Sequence, residues 1–295
     1  MDNVQSTNAL KKLGTPVVWD APHPVVAHMT QRIGGVSTAP FDSLNVGDHV
    51  GDDPRAVLAN RSLLTQALGL TPCFMTQVHG THVHLLTQAN ATLSVEADAV
   101  VCATPGLAAA IMVADCLPVL FAHKHKPLVA GAHAGWRGLA NGVLQATVQA
   151  MAAQAQCSVG ELCRDVHVWL GPCIGPAAFE VGAEVRAAFV AQHPQAHACF
   201  ELVEPTQPQL FGDVACGIRA AAGLGSVRAN KYLANLPALA QLVLSELGIV
   251  SVTGNDASPA WCTAGNPDVY FSYRRDQQAL GGSGRMAAFI GLQAC

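Results

Sequence analysis

Between Cys73 and Ala132 the chain runs through six short apolar segments in close succession: Cys73–Val78, Val83–Thr87, Ala99–Cys102, Ala109–Val113, Val119–His123 and Leu128–Ala132. Each is bounded by Gly, Pro or polar residues, the punctuation of β-strands. A helical crossover between parallel strands needs about a dozen residues or more, and the gaps here are shorter. A doubly wound parallel sheet is therefore excluded, and the pattern predicts a mixed α+β fold with central sheets and helices outside. Further strands are expected at Val17–Trp19, Val25–Met29, Val166–Leu170, Ile249–Thr253, Phe271–Tyr273 and Met286–Ile290. Helices are expected at Pro54–Leu68, Gly138–Gln156, Val181–Gln192, Asp213–Ala222 and Tyr232–Leu247. The first of these follows Asp52-Asp53-Pro54, a capping residue and then a proline suited to the first turn. No internal repeat or low-complexity linker divides the chain, so residues 1–295 are read as one domain.

Composition narrows the class of partner. Hydrophobic residues make up 51% and charged residues 12%, about half the usual charged fraction. A chain of this length buries a large core, and its abundant alanine suits tightly packed layers. The most apolar window, Leu107–Ala122, contains Asp115 and Pro118, too broken for a membrane span. The N-terminal segment lacks the apolar stretch of a signal peptide, so a cytoplasmic address is expected. The net charge is −4 and no Lys/Arg stripe is present. The footprint of a nucleic-acid binder is thus missing, and a small-molecule partner fits better. Ten cysteines are scattered from Cys73 to Cys295 without a C-x-x-C pair. In a chain of this size that is no disulfide framework, and most should be buried small hydrophobes. Monomer and small homo-oligomer both remain open.

Three segments place chemically capable residues at strand ends: Gln77-Val78-His79-Gly80, Ala114-Asp115-Cys116-Leu117-Pro118 and His133-Ala134-Gly135-Trp136-Arg137-Gly138. Strand ends broken by Gly or Pro are where chemistry is displayed. Two imidazoles and a thiolate form a zinc ligand set that leaves a fourth position open. The spacings between them follow no finger-type rule. The same trio also reads as a Cys116 nucleophile with His133 as base and His79 as auxiliary. Asp115 either reaches this site or caps the strand end. Arg32, Arg137, Arg274, Arg275 and Arg285 lie in loop contexts, and guanidinium forks beside Gly-rich turns suit an oxyanion such as phosphate. Leu170–Pro176 is a strand-end turn, either structural or a pocket wall. The pairs His82/His84 and His123/His125 raise a copper reading, but no His-Cys-His run is present; solvent-facing strand histidines are expected instead.

These segments give the chain its resemblance. Arg32-Ile-Gly-Gly-Val-Ser37, Ser43-Leu-Asn-Val46, Gly51-Asp-Asp-Pro54, Gln77–Gly80, Ala97-Asp-Ala99, Ala114–Pro118, His133–Gly138, Gly171-Pro-Cys-Ile-Gly175, Cys262-Thr263, Phe271-Ser-Tyr-Arg-Arg275 and Gly284-Arg-Met286 occur in this order. The sequence resembles the laccase-domain family, also called multicopper polyphenol oxidase-like or peptidoglycan editing factor proteins. The resemblance implies central sheets flanked by helices, in an architecture related to cysteine-hydrolase-like domains. It implies zinc on His79, Cys116 and His133. It also implies phosphorolysis of adenosine, inosine, guanosine and methylthioadenosine, together with adenosine deamination. Copper-dependent polyphenol oxidation and a Cys–His amidase editing peptidoglycan precursors are the alternatives. Joined to the residue chemistry, it makes Cys116, His133, His79 and Asp115 the catalytic candidates. Arg32, Asn45, Arg137, Arg274 and Arg275 become the substrate-binding candidates. The chain departs from the family pattern at Met29-Thr30-Gln31, where relatives tend to have a Gly-aromatic pair, and Asp276–Gly282 reads as a longer loop.

Overall fold

Two sheets stacked face to face form the centre of the structure, a computed structural model that describes residues 10–17, 25–204 and 230–294. The first sheet holds β1 (Gly14–Pro16), β2 (Val25–Thr30), β14 (Met286–Leu292), β6 (Leu107–Val113) and β3 (Thr71–Phe74), in that order from edge to edge. The second holds β13 (Val252–Gly254), β9 (Val166–Leu170), β7 (Leu117–His123), β8 (Val129–Ala134), β5 (Ala99–Cys102) and β4 (Val83–Leu86). Most pairings are antiparallel, and β3/β6, β4/β5 and β9/β13 are parallel. The mixed α+β expectation holds.

Side-chain alternation sorts β6 between two cores. Ala109, Ile111 and Val113 face inward against Val100, Cys102, Leu120 and Ala122 of the second sheet. Ala108, Ala110 and Met112 face outward beneath α1 (Pro54–Leu68), which contributes Leu64 and Leu68. On the far side, Val119, Phe121, Ala130 and Ala132 lie beneath Leu144, Val148 and Met151 of α3 (Val143–Ala155). The order is helix, sheet, sheet, helix. Strands covered on both faces read as continuous apolar runs rather than alternating ones, as the Cys73–Ala132 segment does. Small residues let the sheets approach closely: a Cβ at Gly131 would lie 2.8 Å from Ile111 Cγ1.

Several elements differ from the sequence expectation. Gly138–Gln156 is not one helix but the end of α2 (Trp136–Ala140) and then α3, separated at Gly142, whose φ of 96° is left-handed. The short α4 (Val159–Arg164), opened by a Ser158–Glu161 capping box, is too brief to show a period. Val181–Gln192 begins as strand β10 (Glu180–Gly182) before α5 (Ala183–Gln192). Tyr232–Leu247 likewise begins as strand β12 (Lys231–Ala234), and Asn235 then caps α6 (Leu236–Glu246) by accepting from the Ala238 amide. With β11 (Phe200–Leu202), β10 and β12 form a third sheet that was not foreseen. Phe271–Tyr273 is not a strand. Ser272 caps α7 (Tyr273–Leu280), so most of the expected 276–282 loop is helical and ends at the left-handed Gly281.

The histidine pairs are not both solvent-facing. His84 and His123 are buried, and His123 Nδ1 accepts from the His125 and Lys126 amides to close the β7–β8 turn. The eight cysteines among the described residues are free thiols. No helix among the described residues is long and apolar enough to cross a membrane. The expected helix Asp213–Ala222 and residues 18 and 19 of the expected first strand lie outside the described residues.

Candidate metal centre and its pocket

Two crossings between the stacked sheets build the site. The β3–β4 connection leaves the first sheet for the second and carries His79; the β6–β7 connection does the same and carries Cys116. The third member, His133, sits near the end of β8, just before Gly135 opens α2. Residues distant in sequence thus meet at one end of the sandwich.

Local conformation fixes each crossing. His79 adopts a left-handed φ of 62° and Asp115 one of 87°, unusual for residues with a side chain. Gln77 secures the first turn by donating to the Met112 carbonyl and accepting from the Met112 amide, both at 2.8 Å. Asp115 secures the second: Oδ1 accepts from the Thr263 hydroxyl at 2.6 Å and Oδ2 from the Arg274 amide at 2.7 Å. The second contact places a carboxylate at the N-terminus of α7, where the helix dipole favours negative charge.

Asp98, at the mouth of β5, ties the histidines together. Its carboxylate accepts from the Val78, His79 and Gly80 amides at 3.2, 2.9 and 2.7 Å, and from His133 Nδ1 at 2.8 Å. With Nδ1 donating to a carboxylate, the His133 Nε2 lone pair is directed to the centre. The Cys116 sulfur lies 3.6 Å from His79 Nε2, and the two histidine ring centroids are 4.8 Å apart. One ligand atom from each of the three residues falls within 4.8 Å of the others. A Cβ at Gly135 would lie 2.7 Å from His79 Cδ2 and 2.9 Å from Cys116 Sγ, so only glycine leaves the trio room.

The electrostatics couple Cys116 to His133. Desolvation alone would raise the Cys116 thiol; the charge and hydrogen bond of His133, with His79, overcome it and bring the pKa down to about 6. Desolvation would lower His133, but the Cys116 sulfur and the Asp98 hydrogen bond raise it to about 9. These shifts pair a Cys116 thiolate with a His133 imidazolium, which must give up its Nε2 proton to act as a ligand; a thiolate and two neutral imidazoles then fit a zinc ion.

The trio opens into a pocket of about 440 Å³. Val113, Ile174, Phe179, Leu236 and Tyr273 give it apolar walls, so the Leu170–Pro176 turn does supply one wall. Arg137, Arg274, Arg285, His49 and Asp115 are its charged or titratable lining beyond the trio. Arg137 stacks over Trp136 at 4.4 Å, and Arg274 donates to the Glu180 carbonyl.

Three sequence candidates stand behind the pocket rather than in it. Arg32 donates to Asp42 and to the Pro267 carbonyl, with its guanidinium 4.9 Å from the centroid of the fully buried Phe271 ring. Asn45 is buried and spends its amide on Gly47, Asp52 and the Arg285 backbone. Arg275 clamps the carbonyls of Thr263, Ala264 and Tyr270 and pairs with Asp276. Two residues carried signals that went unread. Asp98 is a carboxylate directly before an apolar strand, and His49 lies in a loop between Gly47 and Gly51.

The chain is similar to known proteins over nearly all of its length. Residues 26–293 match the family model described as multi-copper polyphenol oxidoreductase laccase. A protein named purine nucleoside phosphorylase from Pseudomonas aeruginosa is 42% identical over 275 residues, covering 93% of this chain and 96% of the relative. Purine nucleoside phosphorylase YfiH of Escherichia coli is 41% identical over 276 residues, again covering 93% and 96%. The crystal structure of a Neisseria meningitidis protein superposes with a TM-score of 0.77 at 40% identity, over 96% of this chain and all of that one. YlmD from Geobacillus stearothermophilus gives a TM-score of 0.71 at 28% identity, over 92% of this chain and 93% of that one. The chain therefore belongs to the multi-copper polyphenol oxidoreductase laccase family.

Proposed function

We propose that this protein is a zinc-dependent purine nucleoside phosphorylase, accepting adenosine, inosine, guanosine and methylthioadenosine, with adenosine deaminase activity at the same site. The observation that carries this reading is the His79–Cys116–His133 donor set opening into a pocket with apolar walls and arginines. The names of the relatives supply the substrate class. Apolar walls suit a purine, and guanidinium groups suit phosphate.

His79, Cys116 and His133 would hold zinc, which would supply Lewis acidity and lower the pKa of water near it. Asp98 keeps His133 and the His79 turn in place for that ion. Phosphate is held against the ribose by Arg137 and Arg274, which face the pocket, while Phe179 and Tyr273 flank the base. Each Asp115 oxygen accepts one hydrogen bond and retains a lone pair, so Asp115 is our candidate for moving a proton in deamination. Arg32, Asn45 and Arg275 act from behind, by holding the loops.

A second reading has its own support. Cys116 with a depressed pKa beside His133 is also a Cys–His nucleophile pair, which suits an amidase. Multicopper oxidation has less: among the described residues one His/Cys/Asp/Glu group is placed to hold metal, a set for a single ion.

Incubation with adenosine, with and without phosphate, tests the reading. Adenine release that requires phosphate is expected, along with some inosine. Equal base release without phosphate would make the reaction a hydrolysis and overturn the phosphorylase assignment. Metal analysis should find about one zinc per chain, lost in His79→Ala, Cys116→Ala and His133→Ala. Wild-type zinc in all three variants would remove the metal assignment. Full activity after complete metal removal would favour the Cys–His pair.

A further inference from the structure

The pocket holds more positive charge than its surroundings neutralise. Arg137, Arg274 and Arg285 all line it, and among the described residues none of the three forms an ion pair with a carboxylate. Its single carboxylate, Asp115, is already engaged by Thr263 and the α7 amide. A partly buried guanidinium with no direct ion pair carries a desolvation cost that a bound anion would offset.

Arg285 stands apart from the other two. Arg137 and Arg274 are exposed, whereas Arg285 is half-buried. It is also held rigidly. Its backbone amide donates to Asn45 Oδ1 and its carbonyl accepts from the Val46 amide. Its side-chain stem lies against Gly47, where a Cβ would come within 2.7 Å of Arg285 Cγ. Nη1 donates to the Ser283 and Gly284 carbonyls at 2.9 and 3.1 Å. The guanidinium is 5.7 Å from the Tyr273 ring centroid and feels the charges of Cys116 and Asp115. Among the described residues, Nε and Nη2 make no hydrogen bond. The result is a fixed, partly desolvated fork with one edge uncommitted beside the metal centre. His49 borders the same charge and lines the same pocket.

We infer that Arg285 anchors an oxyanion subsite at the inner part of this pocket, with inorganic phosphate as its ligand. Arg137 and Arg274 close over that phosphate from the rim, and His49 offers a further polar contact. The inference builds on the phosphorolysis reading and names the residue that decides phosphate affinity. A planar fork meets two oxygens of a tetrahedral anion at once, which a lysine ammonium does not. Immobilising the fork in advance removes the ordering cost that an exposed arginine would meet on binding. Arg285 is therefore expected to matter more for phosphate than either rim arginine.

The test compares zinc-loaded wild type with Arg285→Gln and Arg285→Lys, using inorganic phosphate as the probe. Two readouts are followed: the rise in melting temperature with phosphate in the absence of nucleoside, and the separate KM values for phosphate and nucleoside. Phosphate should raise the wild-type Tm by mass action, and sulfate should compete with it. In Arg285→Gln the Tm response should vanish and the phosphate KM should rise about thirty-fold or more, the loss expected for a charge-assisted contact. The nucleoside KM should change by less than about three-fold. Arg285→Lys keeps the charge and most of the packing, so it tests the fork even where the glutamine variant folds poorly; it too should lose most of the phosphate affinity. Wild-type phosphate KM and Tm response in the folded variants would overturn the inference. If wild-type turnover ignores phosphate while the Tm response still depends on Arg285, the phosphorylase reading fails and the oxyanion subsite stands. A wild type with neither phosphate response would overturn both.

Discussion

One carboxylate sets the geometry of two histidines. Asp98 is fully buried and accepts four hydrogen bonds, three from consecutive amides around His79 and one from His133. A buried charge of this kind is tolerated because every contact is made to it. Asp98→Asn keeps the shape but replaces one acceptor oxygen with an NH2 that faces other donors. Zinc affinity, read by chelator competition, should fall about 10- to 100-fold, as for other partners that orient a ligating histidine. Wild-type affinity in a folded Asp98→Asn protein would show that the amides alone hold the ligands. Ala97-Asp98-Ala99 was visible in the sequence, but nothing local says what the carboxylate faces. The amides that it receives lie about twenty residues earlier in the chain, and His133 lies 35 later.

Among the elements, the β6 and β8 strands carry the close approach of the two sheets. Gly131 in β8 sits against Ile111 in β6 with no room for a Cβ. Gly131→Val should wedge the sheets apart and destabilise the protein by about 1–3 kcal/mol, the usual cost of overpacking, measured by urea unfolding. Adding Ile111→Ala should recover part of the loss, because the two changes share one space. Purely additive effects in the double variant would mean that the strain lies elsewhere. The same packing explains which elements were legible. β4, β5, β9 and α1 match the sequence reading to within a residue because apolar runs and the Asp53–Pro54 cap are local signals. The small third sheet was missed because β10 and β12 lead directly into helices, and their pairing joins residues 180–182 to 231–233.

For the whole molecule, His28 makes stability depend on pH. It is completely buried in β2, and neither ring nitrogen has a hydrogen-bond partner. Desolvation lowers its pKa from 6.5 to about 4. Between those values the unfolded chain binds a proton that the folded chain refuses, so stability rises with pH across this window. The contribution is fully present above pH 6.5 and is lost progressively as pH falls towards 4. Replacing His28 with a neutral leucine should reduce the stability difference between pH 7 and pH 5 by about 2 kcal/mol. Chemical denaturation at the two pH values checks this, and an unchanged difference would show that His28 is not the group responsible.

The sequence by itself determined the mixed α+β class, the apolar strand runs and the family, and it named the three residues that the fold brings together as a candidate metal site. Each rests on residue type and order: closely spaced apolar runs forbid helical crossovers, and His79, Cys116 and His133 sit in recognisable Gly- or Pro-broken strand ends. Only the tertiary structure decided which arginines face the pocket. Arg32, Arg137, Arg274, Arg275 and Arg285 all occupy loop or turn contexts in the sequence, yet Arg32 and Arg275 are consumed by backbone carbonyls and the other three line the pocket. A guanidinium's role depends on which acceptors the folded chain brings near it. Those acceptors belong to segments that meet only when the two sheets stack.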